Sequence, residues 1–240
     1  MKIKGNPFIE MSRVIQGEGS MMGRPFLLLR VWGCPYRCKF GETVCDTAYA
    51  WSKPKETFSV QQAIYFVSAN RDIKNVMITG GEPTMWDKEM CEFLVAITSL
   101  SIGVDVVLVE TAGYKVPTWS GYVDVWSVSP KIGAIPSDTI NWYAISEMVT
   151  NYGGYMKFVA MSVEHAEEIM SEIENMKNKD GLMMFDNIDK STQIWMMPEG
   201  TSWEGLRKLR ADIVDFCAVK GISYSDRLHI VAFGKEIKGK

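Results

Sequence analysis

Short runs of β-branched and apolar residues alternate along this chain with stretches whose apolar positions recur every three to four residues. These two periods separate strands from helices. The strand pattern occurs at Phe26 to Trp32, Asn75 to Thr79, Val104 to Val109, Val123 to Ser127, Tyr155 to Val159, Gln193 to Met197 and Leu228 to Phe233. The helical pattern predicts elements over Ser59 to Ser68, Asp87 to Leu100, Val163 to Met176 and Trp203 to Lys220. Two of these helices open with capping-box spacing, Ser59-x-x-Gln62 and Thr201-x-x-Glu204, and Gly221 stops the last one. Strand-helix repetition predicts an α/β fold with a mostly parallel sheet covered by helices, and reactive groups gather where such strands end. No linker, repeat or low-complexity stretch divides residues 1–240, which read as a single domain.

Composition narrows the function classes. The chain is 47% hydrophobic with a formal charge of −3, so a basic nucleic-acid surface is not expected. No apolar run reaches the length of a membrane span. Met1 to Asn6 is charged and poor in apolar residues, so no secretory leader is read and a reducing cytoplasmic setting is expected. Sixteen methionines and eight tryptophans suit irregular core packing.

The chemistry-bearing feature is the group Cys34, Cys38 and Cys45. Three thiolates can hold three irons of a four-iron, four-sulfur cluster and leave the fourth open to a small ligand. A structural zinc site usually takes four Cys or His ligands, and His165 and His229 lie far downstream. Cys91 and Cys217 sit in apolar helical patterns and read as core. The predicted strands end in Gly80-Gly81-Glu82-Pro83, Glu110-Thr111-Ala112-Gly113, Ser129-Pro130-Lys131 and Met197-Pro198-Glu199-Gly200. Each alone suits an ordinary turn.

In order, Cys-x-x-x-Cys followed by Gly-Gly-Glu-Pro resembles the radical S-adenosylmethionine superfamily. Gln16-Gly17-Glu18-Gly19, Gly23-Arg24-Pro25, Arg30, Gly33-Cys34, Cys45-Asp46-Thr47, Trp51, Glu110-Thr111-x-Gly113, Ser129-Pro130-Lys131 and Arg227-Leu228-His229 narrow the resemblance to the 7-carboxy-7-deazaguanine synthases. That resemblance implies an incomplete (β/α) barrel with six parallel strands and fewer covering helices than the full barrel. It also implies magnesium-dependent ring contraction of 6-carboxy-5,6,7,8-tetrahydropterin to 7-carboxy-7-deazaguanine and ammonia, a step toward queuosine and related deazaguanines. The implied cofactors are a 4Fe-4S cluster on Cys34, Cys38 and Cys45, S-adenosylmethionine, and magnesium at Thr47. Cofactor contacts are implied at Val44, Asp46, Gly81, Glu82, Glu110, Ser129, Pro130, Lys131, Met197, Pro198, Glu199 and Gly200. Substrate contacts are implied at Ile15, Gln16, Gly17, Arg30, Thr79 and His229.

Two positions depart from the superfamily pattern. Lys39 to Val44 puts six residues between the second and third cysteines where two are usual, so an inserted loop is read there. Val44 stands where an aromatic is usual, leaving Phe40 or Trp51 to cover the adenine. The resemblance further implies an electron donor such as flavodoxin and a homodimer. Two other readings compete: a glycyl-radical activating enzyme, which Gln16 to Gly19, Arg30 and Thr47 argue against, and a non-catalytic iron-sulfur or zinc module.

Overall fold

The computed structural model describes residues 5–99, 102–177 and 180–234. The strands are β1 (Phe8–Ile15), β2 (Pro25–Val31), β3 (Lys39–Phe40), β4 (Thr43–Val44), β5 (Asn75–Gly80), β6 (Val106–Thr111), β7 (Val125–Val128), β8 (Tyr155–Ala160), β9 (Ile194–Pro198) and β10 (Ser223–Tyr224). The helices are α1 (Val60–Ala69), α2 (Asp87–Ser99), α3 (Trp142–Thr150), α4 (Val163–Asn175), α5 (Lys190–Gln193), α6 (Trp203–Lys220) and α7 (Leu228–Phe233). Among the described residues, eight strands form one sheet in the order β1-β2-β5-β6-β7-β8-β9-β10. β1 runs antiparallel to β2, and every later pair is parallel. The sheet is open, because β1 and β10 do not meet. This is the expected incomplete barrel, with β10 as a short seventh parallel strand beside the expected six.

Strand alternation decides which side chains face which layer. Leu27, Leu29, Val31, Val76, Ile78, Val107, Val109, Trp126, Val128, Met156 and Phe158 point to the helix-covered face and join one core. The intervening positions Phe26, Leu28, Met77 and Leu108 form a second, smaller cluster on the inner face. Inner positions further along the same strands are polar. The helices therefore cement one side of the sheet, and the other side is left to line a cavity. No described helix is long and apolar enough to cross a membrane.

Local chemistry explains the helix ends. Ser59 and Gln62 form the expected capping box on α1. On α6 the cap is Ser202, which accepts from the Gly205 amide, and not Thr201; the box placed one residue too early is corrected by the chain's own Ser. Gly221 ends α6 in a left-handed conformation at φ 67°, as expected. The stretch Leu228 to Phe233, expected as a strand, is helix α7. Its Ile230 and Val231 amides turn back to the Arg227 carbonyl while its Leu228 amide donates to the Gly17 carbonyl, so bonding to a distant loop outweighs its β-branched content. β1, α3 and β10 were not expected; β1 carries Glu10, Ser12 and Arg13, which dilute a strand signal. Leu100, expected as the end of α2, lies outside the described residues. Cys217 is buried as expected, whereas Cys91 is only half-buried against the core.

Candidate active site

The cavity has a volume of about 610 Å³ and opens at the C-terminal ends of the parallel strands. Its floor follows the register of the sheet. Leu28, Met77, Leu108 and Val125 are successive partners across four strands and form an apolar row, of which Leu28 and Met77 reach the cavity. Two residues further along each strand, on the same face, come Arg30, Thr79, Glu110 and Ser127, with Tyr155 as the next partner of Ser127. Thr79 Oγ1 donates to Glu110 Oε2 at 2.9 Å, and Gln16 Nε2 donates to Glu110 Oε1 at 3.0 Å. Arg30 Nε donates to Glu10 Oε2 at 2.8 Å, which aims the guanidinium along the wall. The Gln16 carbonyl oxygen accepts from the backbone amides of Gly17 and Glu18, so this side chain braces its own loop.

A buried charge cluster closes the side of the cavity. Lys157 Nζ donates to Glu18 Oε2 at 2.5 Å, and Arg227 Nε donates to Glu18 Oε1 at 3.1 Å. Arg227 also donates from Nη1 to the Gly200 carbonyl at 2.6 Å and from Nη2 to Asp46. Burial alone would push the Glu18 carboxyl upward, but the charges of Lys157 and Arg227 outweigh it and hold it well below the usual carboxylate range. Burial likewise opposes the charge on Lys157, yet Glu18 and Glu110 raise its pKa above the ordinary lysine value. His229 is pushed down by burial and stays neutral at pH 7, with Nε2 3.7 Å from Glu18 Oε1. A Cβ on Gly17 would stand 2.4 Å from His229 Nδ1, so glycine permits this approach.

The three cysteines of the loop after β2 line the same cavity. Gly81 donates to the Val31 carbonyl and Glu82 to that of Gly33, so the Gly80–Pro83 turn holds the start of the cysteine loop, and Gly33 ties that start to the loop's end by donating to the Ala50 carbonyl. A Cβ on Gly81 would lie 2.2 Å from the Gly33 oxygen. The residues between Cys38 and Cys45 fold as the β3–β4 hairpin, anchored by the Lys39 amide on the Ala134 carbonyl and by the Cys45 amide on that of Cys38. Arg37 donates to the carbonyls of Cys34 and Tyr36 and lies over the Trp51 ring at 5.1 Å. Burial pushes the Cys34 thiol up to about 12 and raises Cys38 against the pull of Lys131, so thiolates here depend on a bound metal group.

Three soft thiols facing one cavity suit an iron-sulfur cluster with one iron left open. Among the described residues no three His, Cys, Asp or Glu side chains are gathered tightly enough for a single metal ion. Hard oxygen donors suited to magnesium stand next in sequence: Asp46 and Thr47 line the cavity, with Thr47 Oγ1 3.3 Å from Cys45 Sγ.

No family model matches the chain. The 7-carboxy-7-deazaguanine synthase of Pyrobaculum aerophilum is 28% identical over 231 residues, covering 94% of each protein. That of Rhodopirellula baltica is 28% identical, covering 91% of this chain and 83% of its own. The chain is similar over nearly its whole length to 7-carboxy-7-deazaguanine synthases. The crystal structure of QueE from Escherichia coli shares the fold at a TM-score of 0.65 and 19% identity, over 93% of this chain and 94% of that one.

Of the residues that the likeness to these synthases singles out, the cavity wall gathers Ile15, Gln16, Gly17, Arg30, Cys34, Cys38, Val44, Cys45, Asp46, Thr47, Thr79, Gly81, Glu110, Ser129, Lys131, Met197, Glu199 and His229. Glu82, Pro130, Pro198 and Gly200 do not line it. Glu82 is fully buried and accepts from Thr84, Thr111 and the Ala112 amide, so it ties the Gly80–Pro83 turn to the end of β6. Phe40 and Trp51 both face the cavity. Sequence reading missed Glu18, Lys157 and Arg227 as site residues. A lone lysine within the apolar strand Tyr155-Met156-Lys157-Phe158-Val159 was the available signal, because a lysine is almost never fully buried unless paired.

Proposed function

We propose that this protein is a radical S-adenosylmethionine enzyme that contracts the ring of 6-carboxy-5,6,7,8-tetrahydropterin to 7-carboxy-7-deazaguanine with release of ammonia. The observation that carries the reading is one cavity shared by Cys34, Cys38 and Cys45 at its mouth and the Arg30–Thr79–Glu110 row at its floor. The cysteines hold the cluster, which with S-adenosylmethionine supplies the one-electron chemistry of the reaction. Ser129 and Lys131, bonded at 2.9 Å, offer donors to the cofactor's carboxylate and ribose, with Gly81, Glu110, Met197 and Glu199 around it. Glu18, held ionised, accepts from ring N–H groups of the pterin. Arg30 is aimed by Glu10 and keeps its terminal nitrogens for the substrate carboxylate. Thr47 and Asp46 supply oxygen to magnesium beside that carboxylate. Met77, Val159 and Met197 keep water from the reacting face.

The deciding experiment uses anaerobically reconstituted protein with S-adenosylmethionine, dithionite, magnesium and the carboxytetrahydropterin. Formation of 7-carboxy-7-deazaguanine is expected. Formation of 5′-deoxyadenosine without that product would redirect the reading to another substrate, and absence of both to a binding module. Within this reading the protein works as a cytoplasmic homodimer, reduced by a small donor such as flavodoxin.

A further inference from the structure

We propose that Ser127 is a substrate-contacting, specificity-determining residue whose hydroxyl exchanges a hydrogen bond with the polar edge of the heterocycle. This rests on the reading of the cavity as a pterin site. Ser127 lines the cavity, is 1% exposed, and its Oγ has no hydrogen-bond partner among the described residues. Its neighbours in the row are all engaged: Arg30 with Glu10, Thr79 with Glu110, Glu110 with Gln16, and the Tyr155 hydroxyl with the Ser20 amide at 3.4 Å.

An unpartnered buried hydroxyl disfavours the folded state, and packing gives no reason for one. The inner position two residues earlier on the same strand is Val125, in an apolar row. Three other buried polar atoms also lack partners, Trp126 Nε1, His165 Nε2 and Tyr224 Oη, but none of these residues lines the cavity. Ser127 is therefore the one of these four residues that borders the cavity. Depth decides which ligand. Ser129 and Lys131 lie beyond the end of β7 toward the cysteines, whereas Ser127 lies one pleat repeat deeper, level with the substrate-side residues Arg30 and Thr79. A hydroxyl both gives and takes a hydrogen bond, so it suits the alternating N–H and carbonyl groups of a pterin.

The test uses cluster-loaded protein with S-adenosylmethionine and no reductant, so that carboxytetrahydropterin binding is read by calorimetry without turnover. Ser127→Ala should weaken pterin binding about tenfold, and Ser127→Thr, which keeps the hydroxyl, should stay close to wild type. S-adenosylmethionine affinity should not change in either variant. The melting temperature of ligand-free Ser127→Ala should equal or exceed that of wild type, which a structural hydroxyl would not allow. Wild-type pterin affinity in Ser127→Ala, or a clear fall in its melting temperature, overturns the proposal and leaves the enzyme assignment standing. If wild type itself fails to bind the pterin, the assignment of function fails first and this proposal with it.

Discussion

Glu18 shows how a buried carboxylate is kept charged. Its side chain is 14% exposed, yet Lys157 and Arg227 each bond one of its oxygens. Because its folded pKa lies below the ordinary 4.5, the unfolded chain binds more protons across the acid range. The contribution of Glu18 is thus fully present above about pH 4.5 and is lost as pH falls toward the folded value. Lys157 has the opposite sign: its contribution holds below the ordinary 10.5 and is lost as pH rises through its higher folded value. Glu18→Gln should cost about 3–5 kcal/mol by leaving two buried cations short of a partner. Urea unfolding at several pH values should also show a flatter acid limb for that variant. Thr47→Ala should leave the cluster absorbance intact while raising the magnesium concentration needed for turnover; an unchanged requirement would remove Thr47 from the metal site. Gly81→Ala should weaken cluster retention, read from visible absorbance, since its Cβ meets the Gly33 backbone and not a flexible side chain.

At the scale of elements, the segment from Ser225 to His229 behaves as a clasp on the loop after β1. Gly19 donates to Ser225 Oγ, Leu228 donates to the Gly17 carbonyl, and Arg227 adds Glu18, Gly200 and Asp46. Arg227→Met should raise hydrogen exchange together in residues 17–20 and 45–48 while α1 and α2 keep their protection. Exchange rising everywhere would mean global destabilisation instead. Elements with a strong internal period were legible in the sequence: α1 with its capping box, α6 with Gly221, and the six long parallel strands. α7 was not, because Leu228-His229-Ile230-Val231 carries strand-like residues and its helix is imposed by bonds to a distant loop. The β3–β4 hairpin showed only as extra residues between cysteines, since two-residue strands have no period to read.

The whole molecule divides into a face cemented by helices and a face that lines the cavity. Alternation along the strands encodes that division, so the sheet and most of the cavity lining could be read in advance from strand ends and motifs. The charge cluster could not, because its partners lie 139 and 209 residues apart, and the lone lysine of β8 signals only that a partner exists without saying which. Ending the chain after Tyr224 should keep the sheet and its helical layer by far-ultraviolet circular dichroism. The same protein should lose pterin binding, since Arg227 and His229 line the cavity.

The Gly19–Ser225 bond joins residues 206 positions apart. During synthesis, the loop after β1 leaves the ribosome long before the segment that must fasten it has been translated. A nascent chain can bring its cysteines together early, yet the loop after β1 is fastened beside them only once Ser225 has been translated.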